Sequence, residues 1–132
     1  MPFMFENLDV YQKSMALIAD TTAVIETFPR GYGYLSDQLG RASLSIATNL
    51  AEGNGRFTKP DRRHFFTIAR GSVQECVPLL DLAARRGFLA DDLHQNLRDR
   101  LEEISKMISG LIKGLDQRGS SATRRDTDPA AR

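Results

Sequence analysis

Two stretches of this chain have the spacing of metal ligands. Asp61-x-x-His64 and Asp91-x-x-His94 each set a carboxylate and an imidazole about one helical turn apart. A di-metal carboxylate centre in a helical bundle needs more: inward glutamates from two helices and a Glu-x-x-His pair from each of two others. Both Asp-x-x-His pairs open a helix, and the two helices run antiparallel. With about 25 residues at 1.5 Å each between them, the pairs lie at opposite ends of the molecule and cannot share an ion. Helix-dipole capping accounts for the aspartates and solvent exposure for the histidines. Neither histidine has a serine or cysteine placed with a third, orienting group as nucleophilic catalysis requires. Cys76, the single cysteine, sits among Val73, Val77, Leu79 and Leu80, which excludes an intrachain disulfide and reads as a buried thiol. Gly53-Asn54-Gly55 lacks the Lys-Ser/Thr and the preceding strand of a phosphate-binding loop. The residues therefore name no catalytic group, no metal ligand and no cofactor site.

Two other constellations carry more weight. Arg41, Ser45, Asn49 and Glu52 follow steps of four, four and three, so they form a polar line along one helix face beside its apolar stripe. Ser72 and Glu75 answer from the next helix, and a hairpin between the two sets Arg41 opposite Ser72 and within one turn of Glu75. An Arg41–Glu75 bridge is expected. The line reads either as an internal network that fixes register or as a subunit contact or ligand pocket at the surface. The second constellation is basic: Arg56, Lys59, Arg62, Arg63 and Arg70, with Arg63, Thr67, Arg70 and Gln74 sharing one face. It reads as a solvated helix face or as a surface that follows phosphates in RNA or DNA. No aromatic residue is expected to be exposed among these cations, so base stacking is not indicated.

The elements that position these residues are four segments with helical periodicity, at about 7–28, 35–53, 59–86 and 91–116. In the first, Leu8, Tyr11, Met15, Ile18, Ile25 and Phe28 form the stripe expected to face the core. Val10, Leu17 and Val24 form a second stripe at seven-residue steps. This second stripe either wedges between neighbours in the same bundle or meets another subunit, so these three are candidate oligomer-interface residues. Pro29 and Gly31 end that helix. Leu35, Leu39, Ala42, Ile46 and Leu50 point inward from the second. Thr58 caps the third, Pro60 fits its first turn, and Phe65, Ile68, Ala69, Cys76, Leu79, Leu80 and Ala83 are its expected core. Pro78 bends that helix without ending it. Leu93, Leu97, Leu101, Ile104, Ile108, Leu111 and Leu115 line the fourth. Short connections force antiparallel neighbours, which makes the fold class all-α: an antiparallel up-down-up-down four-helix bundle over residues 1–116 with a disordered, flexible tail over 117–132.

Composition supports a single globular domain. The 132 residues are 41% hydrophobic and 27% charged, near the averages for folded soluble chains. No apolar run approaches the length of a membrane span, so a cytoplasmic location is expected. The formal net charge is only +1, yet residues 54–87 hold seven Lys/Arg against three acids, a local net of +4.

The stretch Leu35 to Gly53, containing Arg41-Ala42-Ser43, Ser45-Ile46 and Asn49 to Gly53, followed by Arg56, Phe65, Ile68 to Ser72 and Glu75, resembles the four-helix bundle family of proteins from 23S rRNA intervening sequences, S23-like. The resemblance spans about residues 5–116. It implies a small homo-oligomer, with a pentamer as the favoured form, and no enzymatic activity. It marks Arg41, Ser45, Asn49, Glu52, Ser72 and Glu75 as signature positions. A relative implied by the same resemblance is the accessory variability determinant of diversity-generating retroelements, a basic pentamer that binds nucleic acid. The expected function is a non-enzymatic assembly or binding module, with RNA or DNA as partner through the basic cluster and no small-molecule substrate. The alternative is an enzyme or metal-binding protein using polar residues of the bundle interior.

Overall fold

The computed structural model describes residues 3–127, with side chains through residue 117. A 3₁₀ turn, Met4–Asn7, leads into α1 (Asp9–Ile25), α2 (Gly33–Asn54), α3 (Lys59–Arg85) and α4 (Asp91–Thr127), and the described residues contain no strand. Each helix packs on the next, and α1 returns to α4; α1 does not meet α3, nor α2 α4. That ring of sequential neighbours is the up-down-up-down bundle. The tightest pairing is α2 on α3 and the sparsest α1 on α4. The backbone of α4 continues helically to Thr127, beyond Leu115, its last buried residue among the described side chains. The expected tail, 117–132, thus starts after the last buried position of α4 among the described side chains, and residues 128–132 lie outside the described residues.

Leu35, Leu39, Ala42, Ile46 and Leu50 of α2 are buried, as are Leu97, Leu101, Ile104, Ile108 and Leu115 of α4. Their spacings of three and four are the whole reason: each set forms one continuous stripe on a 3.6-residue helix. Thr58 caps α3 by accepting a hydrogen bond from the Asp61 N–H at 3.3 Å. Gly87, with φ +79°, lets the chain leave α3, and the Gly87 and Phe88 N–H groups close on the carbonyls of Ala84 and Ala83. One unbroken helix passes through Pro78.

The α4 stripe loses Leu93, which is 39% exposed, and two other stripes depart further from expectation. In α1 the core residues are Val10, Ser14, Leu17, Thr21 and Val24, while Met15 is 41% exposed and Tyr11 and Ile18 are only half-buried. Val10, Leu17 and Val24 are 3%, 1% and 7% exposed inside a single chain, which removes them as oligomer-interface candidates. Ser14 and Thr21 complete their stripe; the Ser14 hydroxyl donates to the Val10 carbonyl at 2.7 Å, so its polarity is satisfied locally and the residue can be buried. In α3, Phe66 and Val73 occupy the core in place of Phe65 and Ile68, and Ser72 joins them. Phe66 meets α2 at Gly53, where an added Cβ would lie 2.7 Å from the Phe66 ring. Only a glycine admits that approach.

Candidate nucleic-acid and assembly surfaces

The signature polar line centres on the α2–α3 contact. The Ser72 hydroxyl, nearly buried, donates to Ser45 Oγ at 2.8 Å, and Asn49 Nδ2 donates to both the Ser45 carbonyl and Ser45 Oγ at 2.9 Å. Ser45 thus faces Ser72, where the sequence register placed Arg41; the hairpin is offset by about one turn. Arg41 and Glu75 are both exposed, and the expected bridge between them is absent among the described residues. Glu52 pairs with Arg56 at 3.0 Å instead. The line therefore divides: Ser45, Asn49 and Ser72 form a compact network between two helices, while Arg41 and Glu75 stand outside it.

The basic cluster is partly neutralised. Arg56 is held by Glu52 and lies 4.6 Å over the Phe65 ring, and Arg63 pairs with Asp116 of α4. Arg70 donates to the Ser109 hydroxyl of α4 at 3.2 Å, a neutral partner that leaves its charge intact. Arg62 donates through Nε to the Arg56 carbonyl at 2.8 Å, bending back over the α2–α3 turn. Lys59, Arg62 and Arg70 have no carboxylate partner among the described residues. The face shared by Arg63, Thr67, Arg70 and Gln74 borders α4, where Arg63 meets Asp116 and Arg70 meets Ser109. Sequence reasoning missed one residue here: Phe57, between Arg56 and Lys59, is fully exposed. Its signal was that it belongs to no apolar stripe and immediately precedes the Thr58 cap.

The two Asp-x-x-His pairs are apart, as their helix positions require. His64 is exposed. His94 is not: it is partly buried, with Nε2 2.7 Å from Asp81 of α3, and Arg98 approaches the same carboxylate oxygen at 3.4 Å. Solvent exposure thus fails to describe His94, which ties α4 to α3 one end away from the basic cluster. Among the described residues no group of three or more His, Cys, Asp or Glu side chains converges. The buried polar side chains among the described residues are four hydroxyls, Ser14, Thr21, Ser43 and Ser72. Cys76 is buried, and desolvation, aided by the Glu75 charge, pushes its thiol up to about 12.

The outward strip of α1 differs from every other helix surface here. Gln12, Met15, Ala16, Ala19, Thr22 and Ala23 are exposed and none is charged. The two charged side chains in the body of that helix turn sideways to α4: Lys13 to Glu103 at 2.7 Å, which raises the Lys13 pKa through that hydrogen bond and charge, and Asp20 to Arg100 at 2.6 Å. Leu44 of α2 is 52% exposed and lies one turn beyond Gly40, which faces Ile25 of α1.

An antiparallel four-helix bundle whose interior polar groups are hydroxyls defines the class: a helical scaffold with its distinctive residues on its surfaces. No described helix is long and apolar enough to cross a membrane. The chain belongs to the 23S rRNA-intervening sequence protein family, whose model matches residues 6–110. A similar fold occurs in the crystal structure of a protein of unknown function from the S23 ribosomal protein family of Bacteroides thetaiotaomicron, with a TM-score of 0.73 and 21% identity. That match covers 79% of this chain and 98% of the other. A comparison with curated proteins finds no match.

Proposed function

We propose that this protein works in the cytoplasm by self-association and not by catalysis, with copies packing through the outward strip of α1 and the adjoining edge of α2. The observation that carries the reading is the uncharged strip itself. A surface helix ordinarily turns charged residues to water, and a helix apolar on both sides is ordinarily covered on both. Ala16, Ala19 and Ala23 would let a neighbouring helix approach closely, and Met15 and Leu44 would supply the apolar contact. Light scattering tests this. The reading expects five copies of 14.7 kDa, about 74 kDa in all, with dissociation in Met15→Glu and Leu44→Glu. A mass of 14.7 kDa at micromolar concentration would refute it.

A second reading, contact with RNA or DNA through the start of α3, draws support from Lys59, Arg62 and Arg70, whose charges meet no carboxylate among the described residues. Lys59→Glu with Arg70→Glu should abolish salt-sensitive binding of nucleic acid and leave the mass unchanged.

A further inference from the structure

The turn between α2 and α3 carries an aromatic ring that the bundle does not use. Phe57 is 101% exposed, between Arg56 and Lys59. It borders a groove of about 680 Å³ whose other lining includes Phe5, Thr48, Ala51 and Arg56. Phe5 is itself stacked on Phe3, ring centroids 5.6 Å apart, and Phe3 is 70% exposed, so apolar rings flank the groove from the start of the chain as well. Two carboxylates also line it, Glu52 and Asp61. Glu52 is neutralised by Arg56 at 3.0 Å, and Asp61 lies in the first turn of α3, where the helix dipole favours a negative charge. Among the described residues Lys59 and Arg62 have no carboxylate partner, and the bond from Arg62 Nε to the Arg56 carbonyl keeps its guanidinium at the turn.

A flat exposed ring beside Arg56, Lys59 and Arg62 suits one kind of polymer. Unpaired bases present a π-face to an aromatic side chain while their phosphates meet Lys and Arg; in a duplex the same faces are already stacked on neighbouring pairs. We propose that the α2–α3 turn is a single-stranded nucleic-acid site, in which Phe57 stacks on an unpaired base and Lys59 and Arg62 hold the flanking phosphates. This rests on, and narrows, the reading of the basic cluster as a nucleic-acid contact. Two phosphate contacts on a single strand give a shallow salt dependence, with log K falling by about 1.4 per tenfold rise in salt.

The test uses the full chain, labelled oligothymidylate and oligouridylate, and a duplex of the same length, followed by fluorescence anisotropy. Both strands should bind more tightly than the duplex, and Phe57→Ala should weaken them roughly 5- to 150-fold. Phe57→Trp should keep the affinity and, because the native chain has no tryptophan, provide a single indole whose emission is quenched as the strand binds. Equal binding by Phe57→Ala, equal binding of the duplex, or unchanged indole emission at saturation would overturn the site. If Lys59→Glu and Arg62→Glu abolish binding while Phe57→Ala does not, the basic cluster stands and the stacking site falls; if the native chain binds no strand, both fall. A Phe57→Ala chain of reduced molar mass would assign Phe57 to a contact between copies and equally overturn the proposal.

Discussion

Helices α1 and α4 are neighbours in the bundle and each turns one face away from it, yet those faces have opposite chemistry. Along α4 the outward residues include Asp92, Arg98, Asp99, Glu102, Glu103, Lys106, Lys113 and Asp116, a surface that water solvates. Along α1 they are Gln12, Met15, Ala16, Ala19, Thr22 and Ala23. The two helices meet only sparsely, through Lys13–Glu103 and Asp20–Arg100 at their shared edge. One helix is finished by solvent; the other has a free side composed like the inside of an assembly. The difference teaches that amphipathicity must be judged around the whole helix, since a buried stripe says nothing about what the far side meets.

Substitutions rank this contrast. Leu17→Ala, in the true core of α1, should cost about 3–5 kcal/mol in urea unfolding, as a buried leucine deletion does. A loss below about 1 kcal/mol would mean that α1 is a loosely attached helix and not a bundle member. Gly53→Ala drives a methyl to 2.7 Å from the Phe66 ring and should cost about 1–3 kcal/mol by separating α2 from α3, in contrast with the loosely joined α1 and α4. Ser72→Ala removes one of the two donors to Ser45 Oγ, the one that crosses from α3, and should cost about 1 kcal/mol. Asp20→Ala removes an exposed pair and should change stability by less than about 1 kcal/mol. Glu102→Ala on α4 should fall within about 0.5 kcal/mol and leave the molar mass unchanged, whereas Met15→Glu on α1 should lower the molar mass and remove whatever stability association contributes.

Most of the architecture is legible in the chain, because α2 and α4 carry unbroken apolar stripes and Thr58 and Gly87 mark an N-cap and a stop. What misled was polarity taken at face value. Ser14 and Thr21 look like solvent positions, so Val10, Leu17 and Val24 seemed an isolated second stripe, when hydroxyls that can bond within their own helix complete the core. In α3 the pairs Phe65/Phe66 and Ile68/Ala69 offer two neighbouring stripes, and only the close approach at Gly53 selects the one containing Phe66. The polar line was visible as a pattern. Its register was not, because a one-turn shift of the hairpin preserves the pattern while exchanging Arg41 for Ser45 opposite Ser72. Phe57 escaped because a single exposed aromatic in a turn leaves no periodic trace.

The outward strip of α1 can be read directly by thiol labelling. Cys76 is buried with its pKa near 12, so the native chain should be silent to an alkylating reagent at pH 8, and Ala19→Cys then supplies one reporter on the strip. Its labelling should slow as protein concentration rises, while a cysteine replacing Lys113 on the outward face of α4 reacts at a constant rate. Equal and concentration-independent rates at both positions would show that the α1 strip faces water and would contradict the account.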